Sequence, residues 1–181
     1  MLINIKELTN FKTNHSEIAE QNIMDTVCNA YNLKAGNITT GKFSDYDFDI
    51  EGKTFELKIS SKSTTNSVME LSRANGAPSG LTATTADFHM FLNNAGNIGK
   101  LRLIRTSELQ QYYTKNTQGI YLTETRGDKI GSKLAPLNFK QFNDLMILEM
   151  PYNQSMKQFD TNRSKTNSWA QRNIHKFLNR R

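Results

Sequence analysis

Asp47, Glu56 and Lys58 are the residues of this chain whose types and spacing best suit chemistry. Residues 45–50 (DYDFDI) and 53–60 (KTFELKIS) each alternate in character, and Glu51-Gly52 between them suits a two-residue hairpin turn. In that hairpin Ile50 would face Lys53, Asp49 would face Thr54, and Asp47 would face Glu56. Side chains alternate faces along a strand, so Lys58 shares the face of Glu56. Phe48, Ile50, Phe55, Leu57 and Ile59 form the opposite, apolar face. Two carboxylates and an amine therefore converge on one patch. Like charges placed opposite one another destabilise a sheet, and a divalent cation would offset that repulsion. Mg²⁺ binds through one or two carboxylates, keeps several waters and accepts phosphate oxygens as further ligands. A cation so held activates water for in-line displacement at phosphorus, and an adjacent ammonium can stabilise the developing charge or position the water.

An isolated D…ExK string is common, and its ordinary reading is a solvent-facing hairpin side on which Lys58 pairs with Glu56. The converging hairpin, the apolar opposite face and a preceding helix that bears glutamates favour a site. Asp45 and Asp49 compete with Asp47 for the role of first carboxylate; Asp47 is preferred because it lies opposite Glu56. Other chemistries find little support. His15, His89 and His175 show no metal-binding spacing, and the chain has no GxSxG elbow and no phosphate-binding GK[ST] loop. A single cysteine, Cys28, excludes an internal disulfide and a cysteine-based zinc site, and it fits a small core residue.

The elements that must position the patch read as follows. Residues 15–32 form a first helix, capped by Ser16, with Ile23, Val27 and Tyr31 at helical spacing and Met24 and Cys28 widening the stripe. A third strand is expected near 67–72, on which Glu70 could extend the acidic patch, then a polar loop over 73–85. Residues 87–92 and 100–105 pair across a turn, with Asp87 capping the loop before them, and Ser107 caps a short helix. A hairpin is expected around Gly127-Asp128, and a short helix between Phe139 and Leu148. A basic amphipathic helix is expected over roughly 164–180. With 181 residues, the chain fits one domain over 1–160 and a basic C-terminal helix within 161–181 packed on it. The fold class is α/β, a mixed central sheet flanked by helices.

The formal net charge of +6 and pI of about 9.4 favour a polyanionic partner, nucleic acid before membrane. Arg172, Lys176 and Arg180 recur every four residues, and Arg163 and Lys165 add charge; such a tail is either a solvated face or a phosphate-contacting arm. Lys62, just after the ExK strand, is a further candidate phosphate contact. No run approaches the roughly 18 apolar residues of a membrane span. The N-terminus lacks the apolar stretch of a signal peptide, so a cytoplasmic protein is expected.

The segments Tyr46-Asp47-Phe48, Glu51-Gly52 and Phe55-Glu56-Leu57-Lys58, together with the upstream glutamate-bearing helix, resemble the PD-(D/E)xK nuclease superfamily, in particular its small phage and bacterial members. Residues 78–92 and 100–109 are similar to the loop, strand and strand-helix that follow the catalytic hairpin there. The resemblance spans about residues 15–110, and Tyr46 stands where the superfamily name places proline. It implies a restriction endonuclease-like core and Mg²⁺-dependent hydrolysis of DNA, with Mn²⁺ as a substitute. Asp47 and Glu56 would be metal ligands and Lys58 the catalytic lysine. Glu20 is preferred to Glu17 as the helix glutamate, with Asp49 and Glu70 as possible additional acids. The alternative is a DNA-binding protein that keeps the nuclease fold without cutting. Cutting both strands of a symmetric site would require a homodimer.

Overall fold

The computed structural model describes residues 16–39, 45–60, 65–95, 98–116, 119–123, 131–153, 158–159 and 165–166. The first helix, α1 (Ser16–Tyr31), buries Ile23, Met24, Val27 and Cys28, the helical stripe read from the sequence. Asn32 ends it in the left-handed region (φ 51°), and the Leu33 N–H reaches back to the Cys28 carbonyl at 2.9 Å. Asn tolerates that conformation because its short polar side chain bonds locally.

Strands β1 (Ala35–Ile38), β2 (Phe48–Ile50) and β3 (Lys53–Ser60) follow. The β2–β3 register pairs Ile50 with Lys53, Asp49 with Thr54 and Phe48 with Phe55, as the two-residue turn requires. Glu51 (φ 53°) and Gly52 (φ 71°) both take positive φ, the signature of the type I′ hairpin turn. Strand β1 was not anticipated; it pairs with β2 immediately after the helix ends.

The chain then leaves the sheet. β4 (Asn66–Arg73) joins a separate three-stranded sheet, in the order β4-β8-β7, with β7 (Tyr121–Leu122) and β8 (Ser132–Asn138). A short 3-10 turn (Gly80–Thr82) leads to β5 (Phe88–Ala95), which lies parallel to β3. β6 (Ile98–Arg105) pairs antiparallel with β5, and β9 (Met146–Asn153) with β6; β10 (Gln158–Phe159) and β11 (Lys165–Thr166) both pair with β9. The large sheet thus has eight strands, seven along the path β1-β2-β3-β5-β6-β9-β10 and β11 off it. The architecture is mixed α/β, as expected.

Two cores result. One lies between α1 and one face of the large sheet, with Phe48, Ile50, Phe55, Leu57, Phe88 and Met90 at its centre. The other lies between the opposite face, through Phe91 and Ile104, and the second sheet, α2 (Thr106–Lys115) and the turn bearing Phe139 and Phe142.

Several expectations are corrected. The helix expected between Phe139 and Leu148 is a series of turns followed by β9. α2 starts at Thr106 with Arg105, not Ser107, at its N-cap; the Thr106 N–H is taken by the Asp87 carbonyl at 3.0 Å, a tertiary bond in place of a side-chain cap. Lys165 and Thr166 are a strand, so the C-terminal helix does not begin at 164; residues 167–181 lie outside the described residues. β7 and β8 pair antiparallel, while Gly127-Asp128 between them lies outside the described residues. Among the described residues no helix is long and apolar enough to cross a membrane.

Candidate active site

Asp47 immediately precedes β2 and is fixed by its backbone. Its N–H donates to the Phe55 carbonyl at 2.8 Å, and its own carbonyl accepts from the Thr39 N–H at 2.9 Å and Thr39 Oγ1 at 3.0 Å. The regular register ends at Phe48–Phe55, and the Asp47 N–H shares the Phe55 carbonyl one residue out of step with it, leaving Asp47 beside Glu56 at the end of the hairpin. Its Oδ2 accepts the Leu57 N–H at 2.6 Å, which orients the carboxyl onto β3. On the same face Lys58 Nζ donates to Glu56 Oε1. The three sequence-chosen residues are brought together, and the ion pair of the ordinary reading is present among them.

Burial, and then the negative charge of Glu56, push the Asp47 carboxyl up to about 6; the Leu57 N–H and Lys58 oppose that rise without cancelling it. Burial first, and the neighbouring carboxylate second, disfavour the ionised form, and a cation placed beside the pair would favour it. The two oxygen donors fit a hard divalent ion that keeps its waters and takes phosphate oxygens. Among the described residues no three His, Cys, Asp or Glu side chains converge closely enough to hold a metal by themselves.

The other candidates are placed elsewhere. Asp49 accepts the Asn37 N–H at 2.9 Å, at the sheet edge beside Gly36, where an added β-carbon would collide with its carboxylate. Asp45 is exposed, and its carbonyl accepts from the Thr85 N–H and Thr84 Oγ1. Glu70 sits in the second sheet, not beside β3; its Oε1 accepts from Ser79 Oγ at 2.6 Å and Ser132 Oγ at 3.1 Å. That corrects the expectation of a third strand next to the patch. Glu20 is half-buried on α1, which packs against the apolar face, and it is not grouped with Asp47 and Glu56. The side chain of Glu17 lies outside the described residues, as do Lys62, Arg163, Arg172, Lys176 and Arg180; Lys165 is in β11. Asp87, expected to cap the loop before it, instead ties the start of β5 to β3: its Oδ2 accepts the Thr54 N–H at 3.1 Å.

His89 is the residue sequence reading set aside. The parallel β3–β5 pairing puts it directly beside Glu56 on the same face. It is 0% exposed, its Nδ1 is 3.0 Å from Thr106 Oγ1, and its ring stacks on Phe91 at 5.9 Å. Burial, with Lys58 adding to it, drives its pKa down to about 3, so the imidazole is neutral. The signal available was parity: His89 falls on the same alternation as Asp87 in DFHMFL, but its neighbour on β3 depends on a long-range pairing.

Farther along this face Arg102, 2% exposed, gives its Nε–H to Glu149 Oε2 at 2.7 Å, and its guanidinium lies 4.2 Å from the Phe139 ring centre. Lys100 Nζ donates to Glu149 Oε1 at 2.9 Å. Burial alone would raise the Glu149 carboxyl, but the two hydrogen-bonded cations outweigh it and hold it below the usual range. No family model, curated protein or solved structure matches the chain.

Proposed function

We propose that this protein is a metal-dependent DNA endonuclease of the PD-(D/E)xK type, with a restriction endonuclease-like core. The observation that carries the reading is the convergence of Asp47, Glu56 and Lys58 on one sheet face, with the Asp47 carboxyl pushed up by burial and by Glu56. Asp47 and Glu56 would hold Mg²⁺, or Mn²⁺ in its place. The ion would supply a lowered pKa for a bound water and charge stabilisation at the scissile phosphate. The chain's own residues do the rest. The Leu57 N–H holds the Asp47 carboxyl against β3, the strand that carries Glu56 and Lys58. The Lys58 ammonium faces the phosphate, where it neutralises the charge that develops as the attacking oxygen bonds. The net charge of +6 supports a polyanionic substrate.

The test is plasmid, branched-junction and single-stranded DNA incubated with Mg²⁺, Mn²⁺ or EDTA, beside Lys58→Ala and Glu56→Ala. Metal-dependent cutting that falls by about 10²–10³-fold or more in both variants is expected, the loss typical of removing one group that stabilises transition-state charge. Salt-sensitive DNA binding without cutting on any substrate would replace this reading with the non-cutting binder.

A further inference from the structure

The reaction proposed above gives His89 no task, yet its position is costly. Its Nε2 is buried and has no hydrogen-bond partner among the described residues. An atom so buried has given up its hydrogen bond to water with nothing in exchange. A neutral imidazole has one N–H and one lone pair on opposite sides of the ring. Nδ1 is engaged by Thr106 Oγ1, and Thr106 continues directly from β6. β5 lies between β6 and β3, so with Nδ1 turned to the β6 side, Nε2 turns toward β3. There stand Glu56, paired in register with His89, and Lys58, one step along the same face beside Phe91. When Nδ1–H donates to Thr106, Nε2 is an acceptor in need of a donor. The Lys58 ammonium is near enough to act on the His89 ring electrostatically, it is half-buried, and its bond to Glu56 uses only one of its three N–H groups.

We propose that His89 is a positioning residue for Lys58: its Nε2 accepts an N–H of the ammonium and holds the lysine at the phosphate when Glu56 turns its carboxylate to a cation. The inference rests on the nuclease reading, because Lys58 needs a second anchor only if Glu56 gives up the first. It also gives a task to a histidine in an apolar strand whose hydroxyl partner, Thr106, lies at the head of the following helix: with Nδ1–H given to that hydroxyl, Nε2 is the acceptor.

The experiment is a long-range ¹H–¹⁵N spectrum of the full chain at pH 7 without metal, with ¹⁵N-labelled histidine. The expected result is a neutral ring protonated on Nδ1, with an Nε2 resonance displaced by hydrogen bonding. Lys58→Met should return that resonance to the free lone-pair position, whereas Glu56→Gln, which changes a neighbouring charge but keeps the donor, should not. A ring protonated on Nε2 overturns the proposal, and so does an Nε2 resonance that ignores Lys58→Met. A second arm reads cleavage. His89→Phe should lower kcat by about 10–100-fold, the usual cost of losing a supporting partner, with KM for DNA within about two-fold of wild type. His89→Gln, whose amide oxygen reaches near the Nε2 position, should recover most of that loss. Equal losses in both variants, or a loss confined to KM, overturn it. The spectrum decides the Lys58–His89 contact whether or not the chain cuts DNA, so failure of the nuclease reading and failure of this one are distinguishable.

Discussion

The two faces of the large sheet are built from the same strands and obey different rules. Under α1 the face is a ladder of apolar side chains, with Phe48 stacked on Phe55 at 5.5 Å and Phe55 on Phe88 at 5.3 Å. Every one of these rings is buried and none carries a polar atom. On the reverse face Phe91 and Ile104 enter the second core, and around them stand Glu56, Lys58, His89, Asn93, Arg102 and Glu149, with Asp47 beside Glu56. His89, Asn93 and Arg102 are fully buried, and each has an atom without a hydrogen-bond partner among the described residues. Strand alternation keeps the two kinds of face apart: under α1 the positions are apolar throughout, while on the reverse face polar groups are interleaved with the apolar anchors Phe91 and Ile104 at the fold's expense. A stable first face is what lets the second carry groups that disfavour folding.

Substitutions in the aromatic ladder and in the acidic patch should therefore change stability in opposite directions. Phe55→Ala removes the middle ring of the ladder and should cost about 3–5 kcal/mol in urea unfolding, transfer and cavity terms together. A cost under about 1 kcal/mol would mean that this face is not the one that holds the fold. Asp47→Asn acts on the other face. The amide oxygen can still accept the Leu57 N–H, while the buried charge beside Glu56 disappears. The variant should be more stable than wild type by about 1–3 kcal/mol at pH 7 without metal, the scale of a two-unit carboxyl shift. On a chain of this length that is a rise in Tm of several degrees. Mg²⁺ should stabilise wild type and leave Asp47→Asn unmoved, because the ion offsets a repulsion the variant lacks. A variant less stable than wild type would show that Asp47 contributes to the fold and is not strained by its neighbour.

What was legible in the sequence was local. The β2–β3 hairpin could be read because Glu51-Gly52 fixes the turn and the turn fixes the register, so the placement of Asp47, Glu56 and Lys58 follows from twelve consecutive residues. The stripe of α1 was legible for the same reason. The pairings across distance were not. Nothing near residues 66–73 indicates that β4 crosses to another sheet and leaves β3 to pair with β5, and that single step both removes Glu70 from the patch and delivers His89 to it. The segment 139–145 closes as turns in place of the expected helix. The Phe142 N–H bonds the Phe139 carbonyl and the Leu145 N–H the Phe142 carbonyl, so the backbone is satisfied turn by turn without a continuous helix. α2 began earlier than its apparent serine cap because the carbonyl of Asp87, from a distant loop, took the first N–H.

The smallest expected effect is the pH dependence, and it separates the two titrating groups of the polar face. Asp47 has a folded pKa of about 6 against an ordinary 3.8. Between those values the folded chain keeps a proton the unfolded chain has lost, so this group stabilises the fold at low pH and the benefit disappears as pH rises through about 6. His89 works the other way, with a folded pKa of about 3 against 6.5. Below about pH 6.5 the unfolded chain takes up a proton that the buried ring refuses, so stability falls with acid until about pH 3. From pH 7 to pH 5, His89 should cost about 2 kcal/mol and Asp47 return about 1, leaving wild type with a shallow loss of about 1 kcal/mol from this pair. Asp47→Asn deletes the returning half. Its Tm should fall more steeply with acid than that of wild type, so the advantage it holds at pH 7 narrows by about 1 kcal/mol at pH 5. Thermal unfolding of both proteins at pH 7, 6 and 5 without metal makes the comparison. Parallel lines would mean that Asp47 titrates as an ordinary surface acid, and the patch would lose the repulsion on which its reading as a cation site depends.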